Sequence, residues 1–553
     1  MSMHPQAIPD IPPDTCEVAQ AAFPNGNLYL HLREHLGIIY HDHHFKELFS
    51  PQGQPAQSPW QLILVCIMQF IENLSDRQAA EAVRARIDWK YVLSLPLKDS
   101  GFHFSVLSEF RTRLLQTGKE QELLDILLAH LKETGLLKSH QRQRTDATHV
   151  LAAIRTLNRL ELLGETVRAA LNSLVVADPD WLAHHIQSDW FERYARRIEN
   201  YRLPKPDQER NKLAALFGHD GFALLRAIDE SSSALWLKTL PAIHTLRQVW
   251  IQQFYAPSAD GSVQWRRVKD LPPSSLSIHS PYDIEALYSN KRSMDWVGYK
   301  VHLTEICDPD SPRLITHVHT TPATVPDDQV VEPIHQALAQ KQLLPQEHFL
   351  DGGYLSAEHL VTSKTQYGID IVGPVREDHS WQAKAGNGFD ISGFNIDWQQ
   401  QIVFCPQGHA STKWLPGKDI HGKDVVKVRF PGKTCRACPV RSLCTRSKSQ
   451  PRELTFRPQE LYQALQERRA LQKTLDFHKQ YGTRAGIEST HAQGIRRVGL
   501  RQSRYIGIAK THLQHVFSAL ALNLVRVDAW INNVPLAQTR VSLFKRILQP
   551  LGS

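Results

Sequence analysis

The spacing of apolar residues changes several times along the chain, and each change predicts a different kind of element. After a polar stretch running to about residue 20, the interval from Leu28 to about Leu137 shows short apolar runs at helical period. Ser75-Asp-Arg-Gln-Ala-Ala-Glu-Ala-Val-Arg-Ala-Arg-Ile87 opens on a serine suited to cap a helix, and Ser105-Val-Leu-Ser-Glu-Phe-Arg111-Thr-Arg113-Leu-Leu follows the same scheme. The pattern therefore predicts successive short helices with exposed arginines. That suits a DNA reader of the helix-turn-helix kind, or a plain helical or dimerisation domain. From Asp146 to Val297 the pattern is again largely helical, notably over Leu157 to Leu174 and Ala234 to Tyr255. Trp181, Trp190, Phe191, Trp236, Trp250 and Phe254 read there as packing residues. Asp146 stands just ahead of a helical pattern starting near Val150, where a lone aspartate reads as an N-cap.

Alternation then takes over at Trp296 to Thr304 and Arg313 to Thr320, followed by a helix from about Asp327 to Lys341. His348-Phe-Leu350 reads as a short buried strand that ends at Asp351-Gly-Gly-Tyr354. A carboxylate at such a strand exit faces a crevice. Strands, a crossover helix and a strand with a terminal aspartate make an α/β core. The helical block is then an insertion after the first core strand. A second insertion, from Asp370 to about Leu454, alternates at Phe389 to Trp398 and Val425 to Phe430. The predicted organisation is a helical N-terminal domain over 1–140, the first part of the core over 141–370 with a helical insertion at 150–290, and a β-rich insertion over 371–455. A helical segment with the C-terminal part of the core follows over 456–530, and a tail over 531–553.

Composition adds scale and partner. A chain of 553 residues with 42% hydrophobic and 22% charged content is globular and long enough for about three domains. Between Pro431 and Pro550 there are 21 lysines and arginines against 6 acids, a net of +15 in a chain whose total is +8, which leaves −7 elsewhere. Positive charge gathered on one part is the footprint of a phosphate-contacting surface, so double-stranded DNA is the expected partner; a solvated basic face is the plain alternative. Leu62-Ile-Leu-Val-Cys-Ile-Met68 is the longest apolar candidate and is far too short for a membrane span. No apolar run opens the chain, and the seven cysteines are odd in number, which together predict a cytoplasmic, nucleoid-associated protein in a reducing compartment.

The basic region contains Tyr481-Gly-Thr-Arg484-Ala-Gly-Ile-Glu488. If this segment is helical, Tyr481, Arg484 and Glu488 share one face, and a lone carboxylate lies among Arg496, Arg497, Arg501, Arg504 and Lys510. An ordinary ion pair between Arg484 and Glu488 is the plain reading. A carboxylate for a divalent cation, flanked by guanidinium groups for phosphates, is the functional one.

Asp146 in Thr145-Asp-Ala-Thr148, Asp351 in Phe349-Leu-Asp-Gly-Gly-Tyr354 and the Tyr481 to Glu488 segment together resemble the DDE transposases of bacterial insertion sequences. The likeness is to the branch with a Tyr-Arg-Glu-Lys signature. Asp283-Ile-Glu-Ala286, Gly298-Tyr-Lys-Val-His302, Thr321 to Asp328 and Ala519 to Arg526 extend it over most of the chain. Ile495 stands where the signature has lysine, with Arg496 and Arg497 next to it. The resemblance implies an RNase H-like core and cleavage and joining of DNA at transposon ends and target. Asp146, Asp351 and Glu488 would coordinate two Mg²⁺ ions, and the protein would act as a homodimer or larger assembly on DNA. Tyr481, Arg484, Arg496, Arg497, Arg501, Arg504 and Lys510 would hold phosphates. A DNA-binding protein without catalysis and a nuclease without strand transfer are the rival classes.

Four of the seven cysteines fall in the second insertion, as Cys405-Pro-Gln-Gly-His409 and Cys435-Arg-Ala-Cys438-Pro-Val-Arg-Ser-Leu-Cys444. A Cys-x2-Cys turn presents two thiolates to one metal, and Cys405 with Cys444, or His409 as the alternative, would complete a tetrahedral set for zinc. The Cys-x2-Cys-x5-Cys half departs from a zinc ribbon and leaves an iron-sulfur cluster open, beside free buried thiols.

Overall fold

Gln143–Leu151 (β1) carries Thr145, Thr148 and Val150, branched at Cβ and suited to a pleated surface. In the computed structural model, which describes residues 2–3, 5–231, 234–291 and 293–535, it is the central strand of the sheet. Asp146 therefore lies inside a strand and caps no helix; the helix that follows begins only at Arg159, capped by Asn158 and Glu161 in a capping box. The strand escapes an apolar pattern because its polar side chains bond across the sheet. Thr145 Oγ1 lies 2.7 Å from both Thr304 Oγ1 and His348 Nε2.

β1 runs antiparallel to Met294–Ile306 (β3), with Asp146 opposite Leu303. β3 also pairs antiparallel with Leu287–Lys291 (β2) and Ile315–Pro322 (β4). On the other side β1 is parallel to Glu347–Phe349 (β5), and β5 is parallel to Asp370–Val372 (β6). Gly298 allows β3 to cross close over the end of β1, where a Cβ would stand 2.2 Å from the Val150 carbonyl oxygen. The expected helix after β4 is a 3-10 turn, Asp327–Val330, leading into an α-helix, Val331–Gln340.

The helix Ile508–Ile531 is apolar nearly all round and lies buried between the sheet and the N-terminal helices. Asp283 accepts from the Gly507 amide and Glu285 from the Ile508 amide, which satisfies donors at its start. Asn523 exchanges two hydrogen bonds with the backbone of Ile315, at 2.7 and 2.9 Å. Phe517 stacks on Phe70 of the helix Pro59–Ile71, ring centroids 5.6 Å apart. The N-terminal helices and the sheet thus share one apolar core.

The arginines expected to stand free on those N-terminal helices are partly taken up inside them. Arg111 is buried against Asp76 at 2.6 Å, Arg86 pairs with Glu72 and Asp88, and Arg113 lies over the ring of Phe49. Arg77 and Arg84 stay exposed.

The helices Arg159–Ala177, Asp207–Glu230 and Pro241–Gln253 enclose a second core with Trp181, Trp190, Trp250 and Phe254. Phe191 and Trp236, expected to pack, face outward with 60% and 47% of their surface exposed. A third core belongs to the β-rich segment. There Asn395–Asp397 (β7) pairs with Ile402–Phe404 (β8), and Lys413–Lys418 (β9), Asp424–Arg429 (β10) and Glu453–Phe456 (β11) form an antiparallel sheet. The strand expected over Phe389 to Trp398 is reduced to β7, because Ile391–Gly393 turns as a 3-10 helix. Positions 536–553 of the expected tail lie outside the described residues. Among the described residues no helix is long and apolar enough to cross a membrane.

Candidate active site

Neighbouring strands β1 and β5 carry the two aspartates. Asp146 sits in the middle of β1, and Asp351 lies just past the end of β5, where its Oδ1 accepts the Gly353 amide at 2.7 Å. The third element is helical in three steps: Leu475–Tyr481 is α, Gly482–Gly486 tightens to 3-10, and Ile487–Val498 is α again. Gly486 permits the contact with β1, since a Cβ there would meet the Arg144 guanidinium at 2.0 Å. Arg144 Nη1 donates to the Thr483 carbonyl at 2.6 Å and its Nε to Glu305 at 2.7 Å. Glu305 accepts in turn from Thr490 and from Arg526, so the strand, the Glu488 helix and the C-terminal helix are clamped together.

This clamp sets Arg484 between the aspartates. Its Nη2 lies 2.8 Å from Asp146 Oδ2 and 3.7 Å from Asp351 Oδ2. Among the described residues its ion pairs run to these two acids and not to Glu488. Burial would lower the Arg484 pKa, but Asp146, Tyr481, Asp351 and Glu488 outweigh it and hold the group above its ordinary value. Glu488 is exposed, whereas His491, one turn on, is buried. Ligand atoms of Asp146, Glu488 and His491 all lie within 4.8 Å of one another. Burial pulls His491 below its ordinary pKa, against the two nearby carboxylates.

Tyr481 stacks on Phe477, and its phenol is raised by burial and by Asp351 and Asp146. The fully buried Tyr354 hydroxyl, 2.7 Å from His302 Nδ1, is raised by burial and by Asp327, Asp146 and Asp351. Lys300 pairs with Asp327 at 2.5 Å on the same side.

The remaining basic residues divide. Arg496, Arg497 and Lys510 are exposed. Arg501 donates to Thr148 on β1 at 2.8 Å. Arg504 lies over Phe70 and donates to Asn73 and Leu74, binding the segment to the N-terminal helices. Sequence reasoning passed over His491, Glu305, Thr490 and Arg144. Of these, only the Glu488-x-x-His491 spacing gave a signal, two possible ligands on one helix face.

The four cysteines of the β-rich segment and His409 line one pocket, roofed by Phe389 and Phe430. The four cysteines are free thiols, and burial raises Cys444. Among the described residues the thiols do not form a group of three or more within 4.8 Å, as the acidic set does.

Asp146 inside β1, Asp351 just past the end of the neighbouring β5, and Glu488 on the helix packed against them thus bring carboxylates from three elements to one side of the sheet. Residues 404–527 match the family described as "Transposase DDE domain", and residues 17–113 match "Transposase domain (DUF772)". No curated protein matches the chain. Both matches are to transposase families, so the chain resembles a DDE transposase of an insertion sequence at both ends of its length. The first match includes Glu488 and stops short of both aspartates.

Proposed function

We propose that the protein binds the ends of an insertion sequence and catalyses metal-dependent cleavage and transfer of DNA strands. The observation that carries this reading is Asp146, which lies within 4.8 Å of Glu488 at their carboxylate oxygens and shares Arg484 with Asp351, across sequence gaps of 205 and 137 residues. Hard carboxylate oxygens at such range fit divalent cations such as Mg²⁺, with Asp146, Asp351 and Glu488 as the residues that would hold two ions. Bound there, the ions supply the charge that in-line displacement at a phosphodiester requires. Arg484 adds positive charge at the same point, and Tyr481 flanks it, so both orient a phosphate presented to the carboxylates. The strand order β4-β3-β1-β5-β6, antiparallel on one side of β1 and parallel on the other, supports an RNase H-like core. Exposed Arg496, Arg497 and Lys510 supply backbone contacts along DNA, and Arg501 and Arg504 hold the surface that bears them. Arg77 and Arg84 on the N-terminal helices add a further surface for the duplex, and a homodimer or larger assembly would bring two ends together. The same reading places a zinc ion or an iron-sulfur cluster among Cys405, Cys435, Cys438 and Cys444, once the sulfurs draw together.

The test is Glu488→Gln, which keeps size and hydrogen bonding and removes the charge. Strand cleavage on the element's own ends is expected to fall at least about 1,000-fold, while end binding in a gel-shift assay stays within about twofold. Cleavage that survives in Mg²⁺ would show that the Tyr481 helix is a DNA-binding surface only.

A further inference from the structure

The imidazole of His491 has no place in a site made of three carboxylates. It is buried, 3% exposed, on the inner face of the Ile487–Val498 helix, and its Nε2 has no hydrogen-bond partner. A buried ring nitrogen without a partner costs free energy unless something occupies it. One ring nitrogen lies within 4.8 Å of a carboxylate oxygen of both Asp146 and Glu488, the one such group of three among the described residues. Glu488 and His491 are three apart on the helix, the spacing by which Glu-x-x-His pairs aim two ligands at one ion in carboxylate-bridged metal sites.

We propose that His491 is a metal ligand, completing with Asp146 and Glu488 a mixed nitrogen and oxygen set that favours a first-row transition cation such as Mn²⁺ over Mg²⁺. The inference rests on the reading of the acids as a metal site and narrows the cation class. Imidazole binds Mg²⁺ poorly and binds transition divalent ions well, so one nitrogen among oxygens shifts selectivity without excluding either ion. Asp351, which faces Arg484 and lies outside the close group, is left to serve the second ion.

Pulsed electron paramagnetic resonance on the full chain loaded with Mn²⁺ tests this without reference to activity. The expected spectrum shows a coordinated imidazole nitrogen, whose coupling changes to the ¹⁵N pattern when the protein is grown on ¹⁵N-histidine. In His491→Gln the coupling is expected to vanish and Mn²⁺ affinity to drop at least about tenfold, with Mg²⁺ affinity changed far less. If His491→Gln does not fold, the labelled wild-type spectrum decides alone. Mn²⁺ that binds without nitrogen coupling, and is lost in Asp146→Asn, overturns the role of His491 and leaves the acidic metal site standing. An absence of Mn²⁺ and Mg²⁺ binding overturns both.

Discussion

Glu305 has no exposed surface, yet it bonds Arg144, Arg526 and Thr490 at once. Replacing it by glutamine leaves two buried guanidinium groups without their counter-charge, a loss of about 3–5 kcal/mol for a broken buried pair. Urea denaturation of Glu305→Gln is expected to show a lowered midpoint which, multiplied by the slope of the transition, gives a loss of that size. Cleavage should fall as well, because Glu305 positions the helix that carries Glu488 while standing apart from the reacting groups. None of this was legible residue by residue: Glu305 lies in an alternating strand, where a charge normally signals the solvent face. Asp351 was legible, since a short apolar run broken by two glycines leaves a carboxylate nowhere but at a strand exit. Asp146 was misplaced at the residue scale as a helix cap, because threonines that bond across a sheet look like loop or cap residues in a bare sequence.

At the scale of the element, the Ile487–Val498 helix has two duties on two faces. Ile487, Thr490, His491 and Gly494 are buried toward the sheet, while Arg496 and Arg497 stand in solvent at its end. Replacing both arginines by alanine is expected to flatten the plot of log affinity for the element's ends against log salt by about 1.8, at about 0.9 per lost phosphate contact. An unchanged slope in a salt titration would remove this face from the DNA surface. A shared face for Tyr481, Arg484 and Glu488 follows only if the segment is helical; the structure makes it helical in three steps and pairs Arg484 with Asp146 and Asp351. The 3-10 tightening at Gly482–Gly486 was not plain, because it answers to Arg144, 342 residues away along the chain from Gly486. The strands of the sheet were found where alternation was clean, at β3 and β4, whereas β1 was expected only as the first core strand ahead of the helical insertion, with no alternation to mark it.

At the scale of the molecule, the described residues form three large apolar cores beside two small clusters, and the β-rich segment has its own. If the cysteine pocket holds a metal, purification under reducing conditions should yield about one zinc or one iron-sulfur cluster per chain by elemental analysis. A chelator should then raise amide exchange across 389–456 and leave β1 protected. A chain free of both metals would make these half-buried free thiols. The grouping of four cysteines was visible in the sequence, whereas their packing under Phe389 and Phe430 was not. The wrap of the N-terminal helices around Ile508–Ile531 has a different kind of consequence. Phe70 stacks on Phe517, and His31 reaches Asp528 at 2.9 Å, so the first and last parts of the chain complete each other's interior. A shortened product begun after residue 140 would lay the greasy side of the Ile508–Ile531 helix open to water and is expected to aggregate or be degraded. Exchanging the front quarter of the chain for a distant relative's would meet the same obstacle, since the two parts furnish one interior between them.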